Sequence, residues 1–570
     1  MRPMNLSAIP PVERTYRCYI GSGTMYHPGE QVVKPLLQRA TRAHAFPLIM
    51  FLAVGPLSSV PAQGTAIPDG TYRGTLSFGN RLIVVQVRSR AAAESQIQLA
   101  ITFDDTTPRR LWRDPRGDTL LAVIPGLGDT LRLAPRVEGE SLRGTVRQGT
   151  AIGTIALRRV AELPLEMIKP RVGDYRLDDG TLFSVGGAEN ALDGLTYIHF
   201  GTGRTGSLFA LDSTRFVAGP RRYDTDPASF TVQFEPRDRI AISAADSQRW
   251  RGSRTVLYRE QEVSFPTTGG VQLAGTFTVP TTRGPHPAVI LFHGSNPHLR
   301  FRGNIVTFFA SRGIAVLSWD KRGNGSSGGS FSTMTIDTMA ADGEAAIRWL
   351  RARPEIDPKR VGVWGISQGG WPASVLAVHD SSLAFVILHA GSSLTPAVQG
   401  DDEMRLRVLE SGGTQADMDG FLAYYHLFND VLRGRATQES LESLYRELRA
   451  QGNRFVWPPA ITTSARSRWQ AAINDFDPAL NWSRARVPVL ALFGEFDGYV
   501  PPETNVPVLR AAFARSGNRD TTIVVFKGAN HRFEESSRRL TNDWVIGRRY
   551  LPEYYTTMAA WLDRRVTRAK

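Results

Sequence analysis

The sequence VGVWGISQGGW at residues 361–371 determines the fold of the larger part of this 570-residue chain. Residues 361–364 are mostly apolar, which predicts a short buried strand. Ser367 follows, with Gly365 two residues before it and Gly369 two residues after it. A serine on a sharp turn from strand to helix needs such glycines, because larger side chains would clash with the neighbouring strand and helix. Ser367 is therefore our candidate nucleophile, although this pentapeptide alone is a weak signal in a chain with 53 glycines.

The regions around this turn alternate apolar runs with helical segments. Continuous apolar runs of this length predict strands that are buried on both faces of a sheet. These runs lie at residues 287–292, 314–319, 361–364, 383–388, 487–493 and 522–526. A helical pattern at residues 338–351 lies between two of them. The alternation predicts an α/β domain over residues 259–570, with a doubly wound, mostly parallel sheet covered by helices on both sides.

Two turns at the ends of predicted strands offer backbone N–H groups to a reacting oxygen. In an open parallel sheet, functional groups collect at the carboxyl ends of the strands. The first such turn is His293-Gly294-Ser295, and the second is the Ser367 turn itself. We expect the N–H of Ser295 and the N–H of Gln368 to form an oxyanion hole. The imidazole of His293 is expected to be structural and not to act as the base.

The acid and the base are sought beyond the serine, because one known order of such triads is serine, acid, histidine. The turn at residues 494–498 offers two carboxylates, and His531 is the one histidine that follows it. His531 would take the proton of Ser367 and return it to the leaving group, while Asp497 fixes the orientation of the imidazole. Glu495 is the competing acid, and its earlier place in the turn predicts that it points away from His531.

With these motifs in place, residues 260–570 resemble the α/β-hydrolase superfamily. The resemblance is to bacterial exported hydrolases of the esterase, dienelactone-hydrolase, serine-aminopeptidase and prolyl-oligopeptidase branches. The matching segments are the His293-Gly294-Ser295 turn, the D-x-R-G-x-G-x-S loop at residues 320–327, the G-x-S-x-G turn, the G-E-x-D turn ending at Asp497, and Asn530-His531. The resemblance implies the α/β-hydrolase fold and a serine triad, and it is poorly specific for substrate.

One glycine-rich loop needs a separate interpretation. Gly323, Gly325 and Gly328 match G-x-G-x-x-G and follow a predicted strand. A dinucleotide site is rejected because no helix begins at the third glycine and this is not the first strand-to-helix turn of the sheet. The sequence has no G-K-S/T phosphate loop and no H-E-x-x-H zinc motif.

Residues 397–482 interrupt the alternation with segments of helical spacing, which predict a helical cap over the site. The helical segments lie at residues 404–409, 421–432 and 441–448. Five aromatic residues of this region either line a substrate pocket or pack the cap, and the sequence leaves both possibilities open. They are Phe421, Tyr424, Tyr425, Phe428 and Trp457.

Two small all-β domains are predicted before the α/β domain, at residues 63–165 and 166–258. Short strands alternate there with turns that contain Asp, Pro and Gly. The strands of the first are predicted at residues 81–88, 96–103, 119–124 and 130–133, and those of the second at 173–180, 206–211, 215–217 and 230–234. We expect a packing or substrate-orienting role, with polymer binding as the alternative.

Residues 1–62 are predicted to be a leader that ends in a signal peptide. Basic residues precede the apolar run at residues 46–54, which is too short to span a membrane and ends at Gly55-Pro56. Small residues before Ala62 predict cleavage after it, hence export and no stable membrane anchor after processing. The segment ahead of the apolar run is long for a signal peptide, so Met25 or a later codon is a candidate start. The single cysteine, Cys18, lies in this leader, so the mature chain is expected to lack disulfides.

The composition restricts the classes of partner that we expect for this chain. Hydrophobic and charged contents of 42% and 21% are typical of globular chains. The net charge of +14 comes mainly from dispersed arginine, so we expect no nucleic-acid partner.

We therefore expect an exported serine hydrolase that cleaves a small carboxylic ester through an acyl-enzyme, with no metal or organic cofactor. The alternatives are a serine peptidase, of the aminopeptidase or prolyl-oligopeptidase and Xaa-Pro dipeptidyl-peptidase type, and a non-catalytic binding protein on a hydrolase scaffold.

Overall fold

A computed structural model of the chain describes residues 67–79, 81–90, 95–100, 109–113, 119–123, 130–187, 194–459, 473–540, 547 and 549–567. The predicted leader and its cleavage site after Ala62 lie outside these residues. Two closed barrels come first along the described chain, and a sheet of eight strands follows them.

The first barrel is an antiparallel meander in which each strand pairs with the next and β1 pairs with β8. Alternate side chains such as Leu131, Leu133 and Val146 are buried in its interior, as expected of strands with one solvated face. Its strands are β1 Gly70–Phe78, β2 Arg81–Ser89, β3 Ser95–Ala100, β4 Arg109–Arg113, β5 Leu120–Val123, β6 Thr130–Glu138, β7 Ser141–Gln148 and β8 Ala151–Val160.

The second barrel follows a short helix, α1 Leu165–Ile168, and closes where β16 pairs with β9. Phe183, Tyr197 and Phe230 are buried inside it, and their ring centroids lie 5.1–5.8 Å apart. These stacked rings fill the interior as a packed core. The strands are β9 Gly173–Leu177, β10 Leu182–Gly186, β11 Leu195–His199, β12 Thr205–Ala210, β13 Arg215–Ala218, β14 Phe230–Glu235, β15 Arg239–Ala244 and β16 Arg249–Thr255.

The large sheet has the strand order β17-β18-β20-β19-β21-β22-β23-β24. The pairs β17–β18 and β18–β20 are antiparallel, and every other neighbouring pair is parallel. Its strands are β17 Tyr258–Pro266, β18 Gln272–Pro280, β19 His286–Phe292, β20 Ala315–Trp319, β21 Ile356–Ile366, β22 Val386–His389, β23 Val489–Gly494 and β24 Thr521–Phe526. The predicted α/β architecture with a mostly parallel sheet is confirmed.

Helices cover both faces of this sheet, and each face has its own apolar core. One core contains Leu376, Trp482 and Phe513, and the other contains Phe309 and Trp561. The covering helices are α2 Asn304–Ala310, α3 Ile336–Arg351, α4 Gly370–His379, α8 Pro478–Trp482, α9 Pro502–Ser516 and α10 Pro552–Leu562. No helix among the described residues is long and apolar enough to cross a membrane.

Three further helices are inserted between β22 and β23: α5 Pro396–Glu410, α6 Gln415–Leu432 and α7 Gln438–Ala450. A threonine begins each of them, and its hydroxyl oxygen accepts a backbone N–H of the first turn. Helix α5 lies against the turn that carries Asp497, where Leu406 lies close to Gly498, and against α9, where Thr504 donates to Asp402 at 3.2 Å.

The aromatic residues of the inserted helices pack mainly on one another. Phe421, Tyr424 and Phe428 are buried, and their ring centroids lie 5.1–5.5 Å from that of Trp457. The hydroxyl of Tyr424 donates to the backbone carbonyl of Trp457 at 2.6 Å. These four residues therefore form a core of the insertion, as the packing alternative supposed. Tyr425 is half-buried and lies beside Gly400.

Candidate active site

Ser367 stands on a strained turn between β21 and α4. Its φ is +52°, a left-handed conformation that costs about 1–3 kcal/mol for a residue other than glycine. A Cβ on Gly365 would lie 2.5 Å from the carbonyl oxygen of Gly369, and one on Gly369 would lie 2.9 Å from that of His293. Both positions admit only glycine, because the turn packs directly on itself and on the end of β19. The two glycines let the chain present Ser367 at the carboxyl end of the sheet.

His531 and Asp497 are brought together from the turns after β24 and β23. Nδ1 of His531 lies 2.8 Å from Oδ2 of Asp497, and the two atoms are hydrogen-bonded. The other carboxylate oxygen, Oδ1, accepts the backbone N–H groups of Tyr499 and Val500, each at 2.8 Å. The Asp497 side chain is fully buried, and that of His531 is 12% exposed. Asp497 is thus held at both oxygens and orients the imidazole.

The carboxylate of Glu495 is bonded to a different group. Its Oε2 accepts the backbone N–H of Gly528 at 2.8 Å, so it joins the turn after β23 to the turn after β24. The structure therefore places Asp497, and not Glu495, against His531.

The two expected oxyanion segments lie on either side of Ser367. A Cβ on Gly294 would lie 3.7 Å from Cβ of Ser367, so the turn that carries Ser295 runs beside the serine. Asn296 follows with φ +76°, which makes this turn tight. Gln368 lies just ahead of α4, where the first backbone N–H groups of a helix have no partner within it. Both segments therefore adjoin Ser367, as the expected oxyanion hole requires.

Comparison with known proteins identifies a family for part of the chain. Residues 283–535 match the family model described as serine aminopeptidase, S33. This part of the chain belongs to the α/β-hydrolase superfamily.

Similar proteins include relatives of known and unknown activity. The chain is 31% identical over 140 residues to an uncharacterized protein of Mycobacterium tuberculosis, a match that covers 25% of this chain and 49% of that protein. It is 25% identical over 274 residues to esterase EstD of Thermotoga maritima, covering 45% of this chain and 57% of that protein. The chain therefore spans about half the length of these curated relatives. Among solved structures, an esterase of Pyrococcus furiosus is similar with a TM-score of 0.36 and 17% identity, covering 54% of this chain and 92% of that one.

Two residues of the α/β-hydrolase region beside the site had no role in the sequence interpretation. The ring of Tyr499 lies 5.0 Å from the imidazole of His531, centroid to centroid. The ammonium of Lys321 is hydrogen-bonded to both oxyanion segments. In the sequence, Lys321 occupies the variable position of the D-x-R-G motif, and Tyr499 is the residue after a glycine. Neither feature indicates a role in the site.

His293 has the structural position that the sequence suggested. Its ring stacks on Phe301 at 5.0 Å and meets Trp319 edge-on at 5.8 Å. Burial lowers the pKa of its imidazole well below the usual value, so the ring is neutral. Among the described residues, no group of three or more His, Cys, Asp or Glu side chains could hold a metal ion.

The turn that carries His531 is anchored to the second barrel. Oδ1 of Asn530 accepts the backbone N–H groups of Arg532 at 3.0 Å and of Glu534 at 2.9 Å. Nη2 of Arg222, from the loop after β13, donates to Oε1 of Glu534 at 2.7 Å. Their side chains are 8% and 0% exposed. A buried ion pair thus joins the barrel to a residue three positions after His531.

The same loop also binds the first barrel. Oδ1 of Asp226 accepts from the hydroxyl of Ser141 at 2.9 Å and from the guanidinium of Arg158 at 2.7 Å. The hydroxyl of Thr75 donates to Oδ1 of Asp224 at 2.7 Å. One loop therefore connects both barrels with the α/β-hydrolase region.

Replacing Arg222 by methionine is expected to lower the free energy of unfolding by about 3 kcal/mol, the lower end of the range for a broken buried pair. The buried Glu534 carboxylate would lose its partner at 2.7 Å, while Arg532 lies farther away, at 3.6 Å. Urea denaturation measures this loss. The matched control is Arg215→Met, whose ion pair with Asp212 in the same barrel is exposed and is worth about 0–1 kcal/mol. Equal midpoints for the two variants would contradict the role of the buried pair. Adding Glu534→Gln to Arg222→Met should restore part of the lost stability.

Proposed function

We propose that this protein is a serine hydrolase that cleaves a carboxylic ester through a covalent acyl-enzyme. Oγ of Ser367 attacks the carbonyl carbon while Nε2 of His531 takes its proton, and the carbonyl oxygen becomes an oxyanion held by the N–H groups of Ser295 and Gln368. The C–O bond of the ester then breaks, and His531 gives its proton to the leaving alcohol. Water repeats the two steps on the acyl-enzyme and releases the acid.

The observation that carries this proposal is the buried hydrogen bond between Asp497 and His531 in a fold that also exposes Ser367 on a strained turn. A carboxylate with three acceptor bonds in place is fixed before any substrate arrives. It favours the tautomer with the proton on Nδ1, and this leaves Nε2 free to accept the serine proton. The name of the Thermotoga maritima relative, an esterase, supports the ester as substrate.

A peptidase is the second candidate, because the matching family model is described as serine aminopeptidase. The same triad cleaves amides when the pocket positions them. The amide differs from the ester in its poorer leaving group, so His531 would have to protonate an amine as the bond breaks.

A paired assay separates the candidates. Purified protein is offered short aryl esters and aminoacyl anilides, with Ser367→Ala protein as the background for each. We expect turnover of the esters with a larger kcat/KM than that of any anilide. Preferred turnover of anilides would support the peptidase, and no turnover of either would support a binding protein on a hydrolase scaffold.

The remaining parts of the chain are assigned within the same proposal. We assign residues 1–62 to a leader with a signal peptide, 63–165 and 166–258 to two small all-β domains that pack on the catalytic domain, and 397–482 to a cap. The substrate is a small molecule and the working compartment is outside the cytoplasm. N-terminal sequencing of secreted or periplasmic protein tests the export, since the mature chain should begin at Gln63; a retained leader would contradict it.

A further inference from the structure

The loop at residues 320–329 directs three consecutive charged side chains to three different buried partners. Asp320 accepts two hydrogen bonds from the guanidinium of Arg300, at 2.9 and 2.8 Å. Arg322 pairs with Asp342 of α3. Between them, Lys321 is directed toward the Ser367 turn. The two ion pairs fix the loop on both sides of this lysine.

The ammonium of Lys321 uses all three of its N–H groups. Nζ donates to the backbone carbonyl of Gly294 at 2.8 Å, to that of Asn296 at 3.1 Å, and to the side-chain carbonyl of Gln368 at 2.7 Å. The first two acceptors belong to the turn of Ser295, and the third belongs to the residue after Ser367. One buried group therefore ties the two segments that flank the nucleophile.

Burying the ammonium of Lys321 at this position costs desolvation free energy. The residue is 3% exposed, all three acceptors are neutral oxygens, and the ring of Phe331 lies 5.4 Å from Nζ. Burial lowers the pKa of its ammonium to about 7, because the charged form loses its hydration. An apolar side chain of similar length would fill the same space without that desolvation.

We propose that Lys321 is a positioning residue of the oxyanion hole, which holds the Ser295 turn and Gln368 at a fixed separation. This inference rests on the proposed function, because the separation matters for catalysis only if the two segments form an oxyanion hole. The donors of an oxyanion hole act only when they are fixed before the reaction, and a displacement of about 1 Å can lower the rate about 10²-fold. When Lys321 is protonated, its positive charge also lies close to the segments that would receive the developing negative charge.

The first test is the variant Lys321→Met, which keeps the length of the side chain and removes its donors and charge. We expect kcat for an aryl ester to fall about 10²-fold while KM stays nearly constant, because the oxyanion exists only in the transition state and the intermediate. The matched control is Lys359→Met, since Lys359 is exposed and lies in the part of β21 away from Ser367. This control should retain the parent kcat.

A second variant separates positioning from general stability. Gln368→Leu removes one of the three acceptors, keeps the backbone N–H and introduces no buried charge. Alone it should lower kcat about tenfold, the size of one hydrogen bond to a charged group. Combined with Lys321→Met it should lower kcat little beyond Lys321→Met alone, because both changes break the same connection. Independent, additive losses would contradict the proposal.

Amide hydrogen exchange distinguishes a failure of this inference from a failure of the proposed function. In Lys321→Met, peptides covering residues 293–298 and 366–369 should exchange faster, while those of the first barrel should not change. Unchanged exchange and unchanged kcat would overturn the inference even if the protein is an active esterase. If the parent protein cleaves neither esters nor anilides, the proposed function fails, and the exchange rates alone decide whether Lys321 holds the two segments.

Discussion

Replacing Ser367 by alanine is expected to lower the turnover of an aryl ester by about 10⁶-fold, the scale on which a serine nucleophile acts in a triad. Alanine can occupy the same backbone conformation and removes only the attacking oxygen. His531, Asp497 and the oxyanion segments would remain in place. Binding of the ester should therefore persist while acylation stops, and steady-state turnover on both variant and parent protein measures the difference.

Two controls make this result specific. Ser483→Ala changes a serine at the C-terminal end of α8, whose hydroxyl donates to the backbone carbonyl of Leu480. This variant should retain the parent turnover. The melting temperature of Ser367→Ala should stay close to that of the parent, because no buried contact is lost. Substantial turnover by folded Ser367→Ala protein would show that another group is the nucleophile.

Replacing Asp497 by asparagine is expected to lower turnover by about 10⁴-fold. The amide can still accept the backbone N–H groups of Tyr499 and Val500 through its oxygen. Its NH₂ group would then face His531 and donate to Nδ1, which moves the ring proton to Nε2. Nε2 could then no longer accept the proton of Ser367 in the proposed mechanism, so the loss should appear in kcat and not in KM.

Glu495→Gln is the matched control, since it alters the other carboxylate of the same turn. Its bond to the N–H of Gly528 can be kept by the amide oxygen, and no contact with His531 is affected. Turnover should therefore stay near that of the parent. A collapse in Glu495→Gln together with normal activity of Asp497→Asn would reverse the assignment of the acid.

The α/β part of the fold could be predicted because its signals are local. Strands such as β19 and β23 are buried along their whole length, so they appear as unbroken apolar runs. The turn around Ser367 was predictable because its sterics demand glycine at two fixed positions. The place of Asp497 followed from its turn, at the carboxyl end of a buried strand.

The barrels could be predicted only in part. Four strands were predicted in each, whereas the structure has eight in each. Strand β16, with the sequence RWRGSRT, has no fully buried residue, so solvated arginines hide its alternation. Strand β7 contains Gly144 and outward arginines, which also weaken the strand pattern. Such strands form because neighbouring strands pair with them. The local sequence pattern carries no information about that pairing.

The contacts that join distant segments could not be predicted either. The ion pair of Arg222 and Glu534 joins residues 312 positions apart, and the hydrogen bond from Lys321 to Gln368 joins residues 47 positions apart. Nothing in the local sequence of either cation marks it as buried. Lysine is scarce in this chain, with six among 68 basic residues, but scarcity alone does not indicate a place in the site.

The central claim is that Ser367 is an activated nucleophile, and labelling with a fluorophosphonate tests it most directly. The probe phosphonylates a serine only where a base takes its proton and donors hold the phosphoryl oxygen. Intact mass followed by peptide mapping should show one adduct per chain, located on Ser367, and none on Ser367→Ala protein. An adduct on a different residue, or equal labelling of Ser367→Ala, would contradict the account.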